Sequence, residues 1–258
     1  MHSRSEILEA VDRLLTIMDE LREQCPWDRK QTYESLRHLT IEETYELGDA
    51  ILNQNLNEIK NELGDLLLHI IFYAKIGSET ADFDLGDVAT SIAEKLIRRH
   101  PHIYGDVQVA DEEEVKKNWE ALKLKEGKKS VFEGVPRSLP SLVKAHRLQE
   151  KASGIGFDWP DAKGVLSKIQ EEIQELREAV GQQEDSAIEA EFGDVMFSLV
   201  NYARFKNINP ETALERTNKK FIQRIQLMEQ EAEQQGTDLQ SLNLDQMEAL
   251  WQEAKKKL

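Results

Sequence analysis

The chain has 258 residues, with 49 acidic against 33 basic side chains and a net charge of −16. That length suits one large domain or two of ordinary size, and the negative balance repels a phosphate backbone, which disfavours broad nucleic-acid binding. Its single cysteine, Cys25, excludes an intramolecular disulfide framework and fits a reducing compartment.

Read in chain order, the N-terminus Met1-His2-Ser3-Arg4 leads into a mixed polar helical pattern and lacks the apolar core of a signal peptide. No stretch approaches the roughly 18 apolar residues of a membrane span, so a soluble cytoplasmic protein without a membrane partner is expected. Thr40-x-x-Glu43 has the form of a helix capping box. After the polar break Asn53-Gln54-Asn55, Ile59, Leu63, Leu66, Leu67, Ile70, Ile71 and Ala74 trace a helical stripe. Gly127, Gly134, Pro136 and Pro140 punctuate the chain further on. The run Glu112-Glu113-Glu114 reads as a solvated helix start. The stripe then recurs as Ile188, Phe192, Val195, Met196, Leu199, Val200 and Ala203, and a last helical pattern covers Asn218 to Glu229. Alternating strand patterns are nearly absent. The expectation is an all-α protein of two tandem modules, residues 1–126 and 141–258, joined by a linker at 127–140.

The duplication extends to the charges. Glu42-Glu43-x-x-Glu46 followed by Glu62-x-x-Asp65 returns as Glu171-Glu172-x-x-Glu175 followed by Glu191-x-x-Asp194, at a constant offset of 129 residues from Glu43 to Glu172 and from Asp65 to Asp194. Residues three apart share a helix face. Position 54 is midway between 43 and 65 and between 46 and 62, so a hairpin turning at Asn53-Gln54-Asn55 places Glu43 level with Asp65 and Glu46 level with Glu62. Gln183, inside Gly181-Gln182-Gln183, is the same midpoint in the second half.

Four like charges brought together repel unless a cation or a proton intervenes, and hard carboxylate oxygens suit Mg²⁺ or Mn²⁺. A lone acid motif is more often the wet face of an amphipathic helix, and the wheel does turn Glu43, Glu46 and Asp65 away from the apolar stripe. Duplication weighs against that reading and leaves an open cleft as the expected form. Gly64 and Gly193 sit inside the same helices at a cost of about 1 kcal/mol each relative to alanine, which points to close approach of a neighbouring helix or a ligand.

Cations follow the acids. Lys220 and Arg224 form one positive edge, Lys168 lies one turn before Glu172, and Lys95, Arg98, Arg99 and then Trp119 take comparable places after the first cluster. Other chemistries fail on inspection. No histidine has an acid three positions before it, which excludes a ferritin-like di-iron pattern. Gly127-Lys128-Lys129-Ser130 lacks the first glycine of a P-loop. His100-Pro101-His102 reads as capping and turn structure, and Cys25 as a packing residue.

These acid motifs, with Cys25-Pro26-Trp27-Asp28, Arg98-Arg99-His100-Pro101-His102, Pro136-Arg137-Ser138-Leu139-Pro140, Gly156-Phe157-Asp158-Trp159 and Trp251, resemble the MazG family of nucleoside triphosphate pyrophosphohydrolases. That family lies in the all-α superfamily that also holds dimeric dUTPases and phosphoribosyl-ATP pyrophosphohydrolases. The likeness covers essentially the whole chain, in the two-domain bacterial form. It implies hydrolysis of nucleoside triphosphates, ATP among them, between the α- and β-phosphates, giving a monophosphate and pyrophosphate. It implies Mg²⁺, with Mn²⁺ as a substitute, on Glu172, Glu175, Glu191 and Asp194, and a homodimer with four-helix-type clefts near the subunit interface. Glu171 is the candidate for orienting or deprotonating water. Lys168, Lys220, Arg224 and Trp251 match nucleotide contacts. Ala187 departs from the pattern, standing where relatives can carry lysine. The C-terminal half is the favoured site, and Glu42, Glu43, Glu46, Glu62 and Asp65 form the second. The competing classes are a non-catalytic helical scaffold and a relative restricted to dUTP or a modified nucleotide.

Overall fold

The computed structural model describes residues 1–111, 114–115, 118 and 130–257, and among them there is no strand. The chain separates into two compact units, Met1–Gln108 and Val109–Leu258. Within the expected linker, residues 127–129 lie outside the described residues, as do Glu112 and Glu113. Ser130 to Pro140 is a run of turns tied to the helix after it: the Lys151 ammonium donates to the Val131 carbonyl at 3.0 Å and Lys144 to that of Arg137 at 2.6 Å.

The first unit consists of α1 (Arg4–Gln24), a 3-10 turn at Asp28–Lys30, α2 (Tyr33–Leu52), α3 (Leu56–Glu79), α4 (Leu85–Arg99) and the short α5 (Pro101–Tyr104). Each long helix starts on a residue able to satisfy the free amides of a first turn. Ser3 and Glu6 cap α1 reciprocally, Thr32 and Ser35 do so for α2, Asn55 accepts from the amides of Asn57 and Glu58, and Asp84 pairs with Asp87 at α4. The Thr40-x-x-Glu43 cap does not form. Reciprocal bonds between Thr32 and Ser35 start α2 earlier, so Thr40 sits in mid-helix and its hydroxyl donates to Leu36 O. His100 ends α4 and Pro101 opens α5, the capping and turn role expected of that segment.

Met18 of α1, Leu36 of α2, and Ile71 and Phe72 of α3 make the core of this unit, all essentially inaccessible. Truncating Phe72 to alanine there costs about 3–5 kcal/mol. Arg22 closes the end of the core, its guanidinium 5.5 Å from the Phe72 ring centroid and paired with Glu79 at 2.6 Å. Gly77 is required: a Cβ on it would stand 2.9 Å from the Phe83 ring and from the Phe83 carbonyl.

The second unit consists of α6 (Ser141–Gly154), α7 (Ala162–Gln182), α8 (Asp185–Phe205), α9 (Pro210–Gln234), a 3-10 turn at Leu239–Ser241 and α10 (Leu244–Lys257). Here α7 packs along α8, α6 crosses α8, and α10 lies on α9. Its buried apolar residues include Val165 and Ile169 of α7, Val200 of α8, Met228 and Ala232 of α9, and Ala254 of α10. The helix marked in the sequence as Asn218 to Glu229 is longer because Asn209 caps it and Pro210 opens it with φ already helical.

Two helical hairpins therefore dominate, α2–α3 and α7–α8. Both turn at the predicted midpoint, where Gln54 and Gln183 adopt left-handed backbone at φ 55° and 57°. The apolar stripes divide. Ile71 and Val200 are buried, whereas Leu63, Leu67 and Ile70, and their counterparts Phe192, Met196 and Leu199, are exposed. Gly64 and Gly193 are not packed by a helix of the same unit, since a Cβ on either would meet nothing within 4 Å among the described residues.

Candidate active site

The hairpins bring the acids together. Carboxylate oxygens of Glu43, Glu46 and Glu62 lie within 4.8 Å of one another, and those of Glu172, Glu175 and Glu191 do the same. Each group draws two members from the first helix of its hairpin and one from the second, where spacing about the turn pairs two from each. Asp65 and Asp194 are exposed and stand outside these groups of three, although Asp65 is near enough for its charge to act on Glu43 and Glu62. Glu42 and Glu171, one residue before each first ligand candidate, are exposed, their helix positions turned from it by about 100°.

Like charge is under-compensated in both groups. Burial, then the charges of Asp65, Glu46 and Glu42, hold the Glu43 carboxyl above its ordinary range. Glu62 is pushed the same way by desolvation and by Glu46, Asp65 and Glu43, and the two share a hydrogen bond. Glu175 is raised by its hydrogen bond with Glu172, by desolvation and by the Glu172 charge. Crowded hard oxygens of like charge are the donor set a small divalent cation relieves, and the exposed members of each group leave room for water or phosphate ligands. The residues present fit Mg²⁺ or Mn²⁺.

The halves differ around that common core. In the second, Lys168 on α7 donates to Glu171 at 2.7 Å and pairs with Glu172 at 2.8 Å, which raises its own pKa. In the first, the hairpin is pinned one turn beyond the acids by a network that sequence reading missed. The Thr40 hydroxyl sits 2.7 Å from His69 Nδ1 and 2.7 Å from the Tyr73 hydroxyl, and Tyr33 stacks on Tyr73 with centroids 5.8 Å apart. Burial lowers the pKa of His69 against the opposing charge of Asp65. The available signal was helical spacing, with Thr40 three residues before Glu43 and His69 four after Asp65.

Of the remaining sequence candidates, Lys220 is exposed on α9, and Arg224, one turn on, is half-buried with its guanidinium 5.2 Å from the Trp251 ring centroid. Phe221 contacts the same indole at 5.5 Å, so α9 and α10 together fix Trp251. The Arg224 Nε is buried without a hydrogen-bond partner. An orphaned donor of this kind costs about 1–3 kcal/mol, offset here by the contact with the indole face. Lys95, Arg98 and Arg99 lie on the last turns of α4. Trp119 lies outside the described residues.

The family model described as the MazG nucleotide pyrophosphohydrolase domain matches the chain twice, at residues 31–104 and 161–227. The chain belongs to the MazG family. Each match contains one whole hairpin with its acid cluster, and the second also contains Lys168, Lys220 and Arg224. The chain is 45% identical over 249 residues to a Thermotoga maritima protein named nucleoside triphosphate pyrophosphohydrolase/pyrophosphatase MazG, covering 95% of each chain. It is 38% identical over 260 residues to an Escherichia coli K12 protein named nucleoside triphosphate pyrophosphohydrolase, covering 96% of this chain and 98% of that one. A solved structure of a MazG-related protein from Thermotoga maritima aligns over 44% of this chain and 98% of its own, with 26% identity and a TM-score of 0.39. MazG membership accounts for the all-α tandem architecture.

Proposed function

We propose that this MazG protein is a Mg²⁺-dependent nucleoside triphosphate pyrophosphohydrolase acting between the α- and β-phosphates. The observation that carries the reading is the three-carboxylate group of Glu172, Glu175 and Glu191, assembled across α7 and α8 with Lys168 beside it. Relatives matched over nearly their whole length and named nucleoside triphosphate pyrophosphohydrolases support its coarser part, hydrolysis of nucleoside triphosphates.

Glu172, Glu175 and Glu191 would hold the metal, with Asp194 at the edge. A bound divalent cation supplies charge neutralisation of the triphosphate and polarisation of the α-phosphorus. Glu171, exposed and bridged to Glu172 by the Lys168 ammonium, orients the attacking water, accepting its proton as the water oxygen bonds to the α-phosphorus and the bond to the α–β bridging oxygen breaks. The leaving pyrophosphate meets Lys168 and Lys220. Arg224, its guanidinium held against Trp251, adds positive charge toward the polyphosphate, and the indole offers a face to the base. The N-terminal group can hold a cation through Glu43, Glu46 and Glu62, but Leu39 stands where Lys168 does in the second half, so it is ranked second.

A homodimer completes the proposal. Leu63 and Phe192 are 53% and 56% exposed, Leu67 and Met196 38% each, and Ile70 and Leu199 47% and 49%. Matched apolar rows on both hairpins are what a second copy would cover in four-helix packing. Among the described residues no helix is long and apolar enough to cross a membrane, and the free thiol of Cys25 suits the reducing cytoplasm we assign it.

Hydrolysis in ¹⁸O-labelled water tests the bond. Label in the nucleoside monophosphate alone agrees with attack on the α-phosphorus, and label in pyrophosphate or in free phosphate contradicts it. A scaffold would give no product at all.

A further inference from the structure

The two halves can be compared position by position, and among their differences beside the acids one places a cation on a candidate metal ligand. Lys168 stands one turn before Glu172, and the residue at the same 129-residue offset before Glu43 is Leu39. The Lys168 ammonium lies 2.7 Å from a Glu171 oxygen and 2.8 Å from a Glu172 oxygen, and the Glu172 side chain is only 7% exposed. Leu39 instead packs against the core of Met18, Leu36, Ile71 and Phe72. Two clusters alike in carboxylates therefore differ in their nearest cation. In the C-terminal one, an intramolecular cation already sits on an oxygen of Glu172, one of the three candidate ligands.

We infer that Lys168 is an internal counter-ion that competes with the metal for Glu172, so that the C-terminal cluster accepts a divalent cation only as the lysine swings off, while at the matching position of the N-terminal cluster Leu39 offers no such competitor. The inference rests on the metal reading above. A divalent ion on that carboxylate would sit about 2.1 Å from its oxygen, a few ångströms from an ammonium held at 2.8 Å. At such separations the repulsion between the two cations weakens binding by about tenfold even at the dielectric of water. The four-carbon stem of Lys168 is partly exposed and lets the ammonium leave. The ammonium then needs another anion, and a polyphosphate arriving with the metal supplies one. The C-terminal cluster is thereby biased to load metal and polyphosphate together, and the N-terminal cluster to load free metal.

Mn²⁺ alone is the probe, followed by electron paramagnetic resonance on the full chain carrying E43Q/E46Q, so that the C-terminal cluster is the one measured. In that background K168M, which keeps the length of the side chain and removes its charge, is expected to tighten Mn²⁺ by about tenfold, and K168R to stay within about twofold of the parent. Adding inorganic triphosphate should shrink the gap between K168M and parent, because it draws the lysine away. Circular dichroism melts confirm that each variant is folded. Unchanged or weaker Mn²⁺ binding in folded K168M overturns the competition while leaving the metal reading intact. A parent that binds no Mn²⁺ at millimolar concentration overturns the metal reading and the inference with it.

Discussion

Gln54 and Gln183 occupy the same point of the two hairpins and hold the same left-handed backbone, φ 55° and 57°. Everything the acid clusters do depends on these turns, because the position of the turn decides which carboxylates face each other. Left-handed backbone is unfavourable for a side chain with a Cβ. Replacing either glutamine with glycine is therefore expected to stabilise the chain by about 0.5–1 kcal/mol without moving the clusters. Urea unfolding measures it. A loss of stability in Q54G or Q183G would mean that side-chain contacts, not backbone conformation, hold the turn.

The first acid cluster should make the metal-free protein pH-sensitive in a particular direction. Glu43 and Glu62 are held above the ordinary glutamate value of 4.5, so the native state binds their protons more tightly than the unfolded chain does. Their contribution is fully present below the unfolded value and is lost as pH rises through the raised native one. Removing both carboxyls in E43Q/E62Q is expected to raise the melting temperature at pH 7 and to change it little at pH 4. Mg²⁺ should stabilise wild type more than the variant at pH 7. Melts of the two proteins at both pH values, with and without Mg²⁺, decide this, and an identical pH response would count against uncompensated charge at the cluster.

The exposed rows on the hairpins predict a dimer. Sedimentation at micromolar concentration is expected to give twice the 29.7 kDa chain mass, and F192D combined with L199D is expected to shift it to the monomer while the helical signal is kept. A wild-type monomer would leave the apolar rows to some other partner.

Arg224 and Trp251 should act as a unit in holding substrate. W251A removes the face that fixes the guanidinium 5.2 Å away, and it is expected to raise KM for ATP by about tenfold with a smaller change in kcat, a loss of binding shared by ground and transition states. W251F keeps an aromatic face and should recover much of the loss. Steady-state kinetics of the three proteins tests this, and unchanged KM in W251A would remove the indole from the nucleotide site.

The hairpins were legible in the sequence because two periodicities agreed. The 3.6-residue stripe placed α3 and α8, and the acid spacing placed their turns at Gln54 and Gln183, where the left-handed residues stand. Helix starts were less legible. Thr40-x-x-Glu43 has the right letters for a cap, yet the Thr32–Ser35 pair lies upstream and forms the same reciprocal bonds, so the helix had already begun. The symmetry of the acid pairing also hid a difference in depth. Glu172 is buried against Lys168, while Asp65 and Asp194 sit out in solvent, and helical spacing alone cannot separate the two situations. The Thr40, His69 and Tyr73 network was missed for a related reason, since a hydroxyl, an imidazole and a phenol carry no motif until the packing of α2 on α3 brings them within hydrogen-bond distance.

The most direct test of the central claim is pyrophosphate release from ATP, GTP, CTP, UTP and dUTP, with and without Mg²⁺, by wild type, E43Q/E46Q and E172Q/E175Q. The account predicts Mg²⁺-dependent release by wild type, most of it retained in E43Q/E46Q, and a fall of about a hundredfold or more in kcat/KM for E172Q/E175Q. Full activity in E172Q/E175Q, or release by wild type that ignores Mg²⁺, would contradict it.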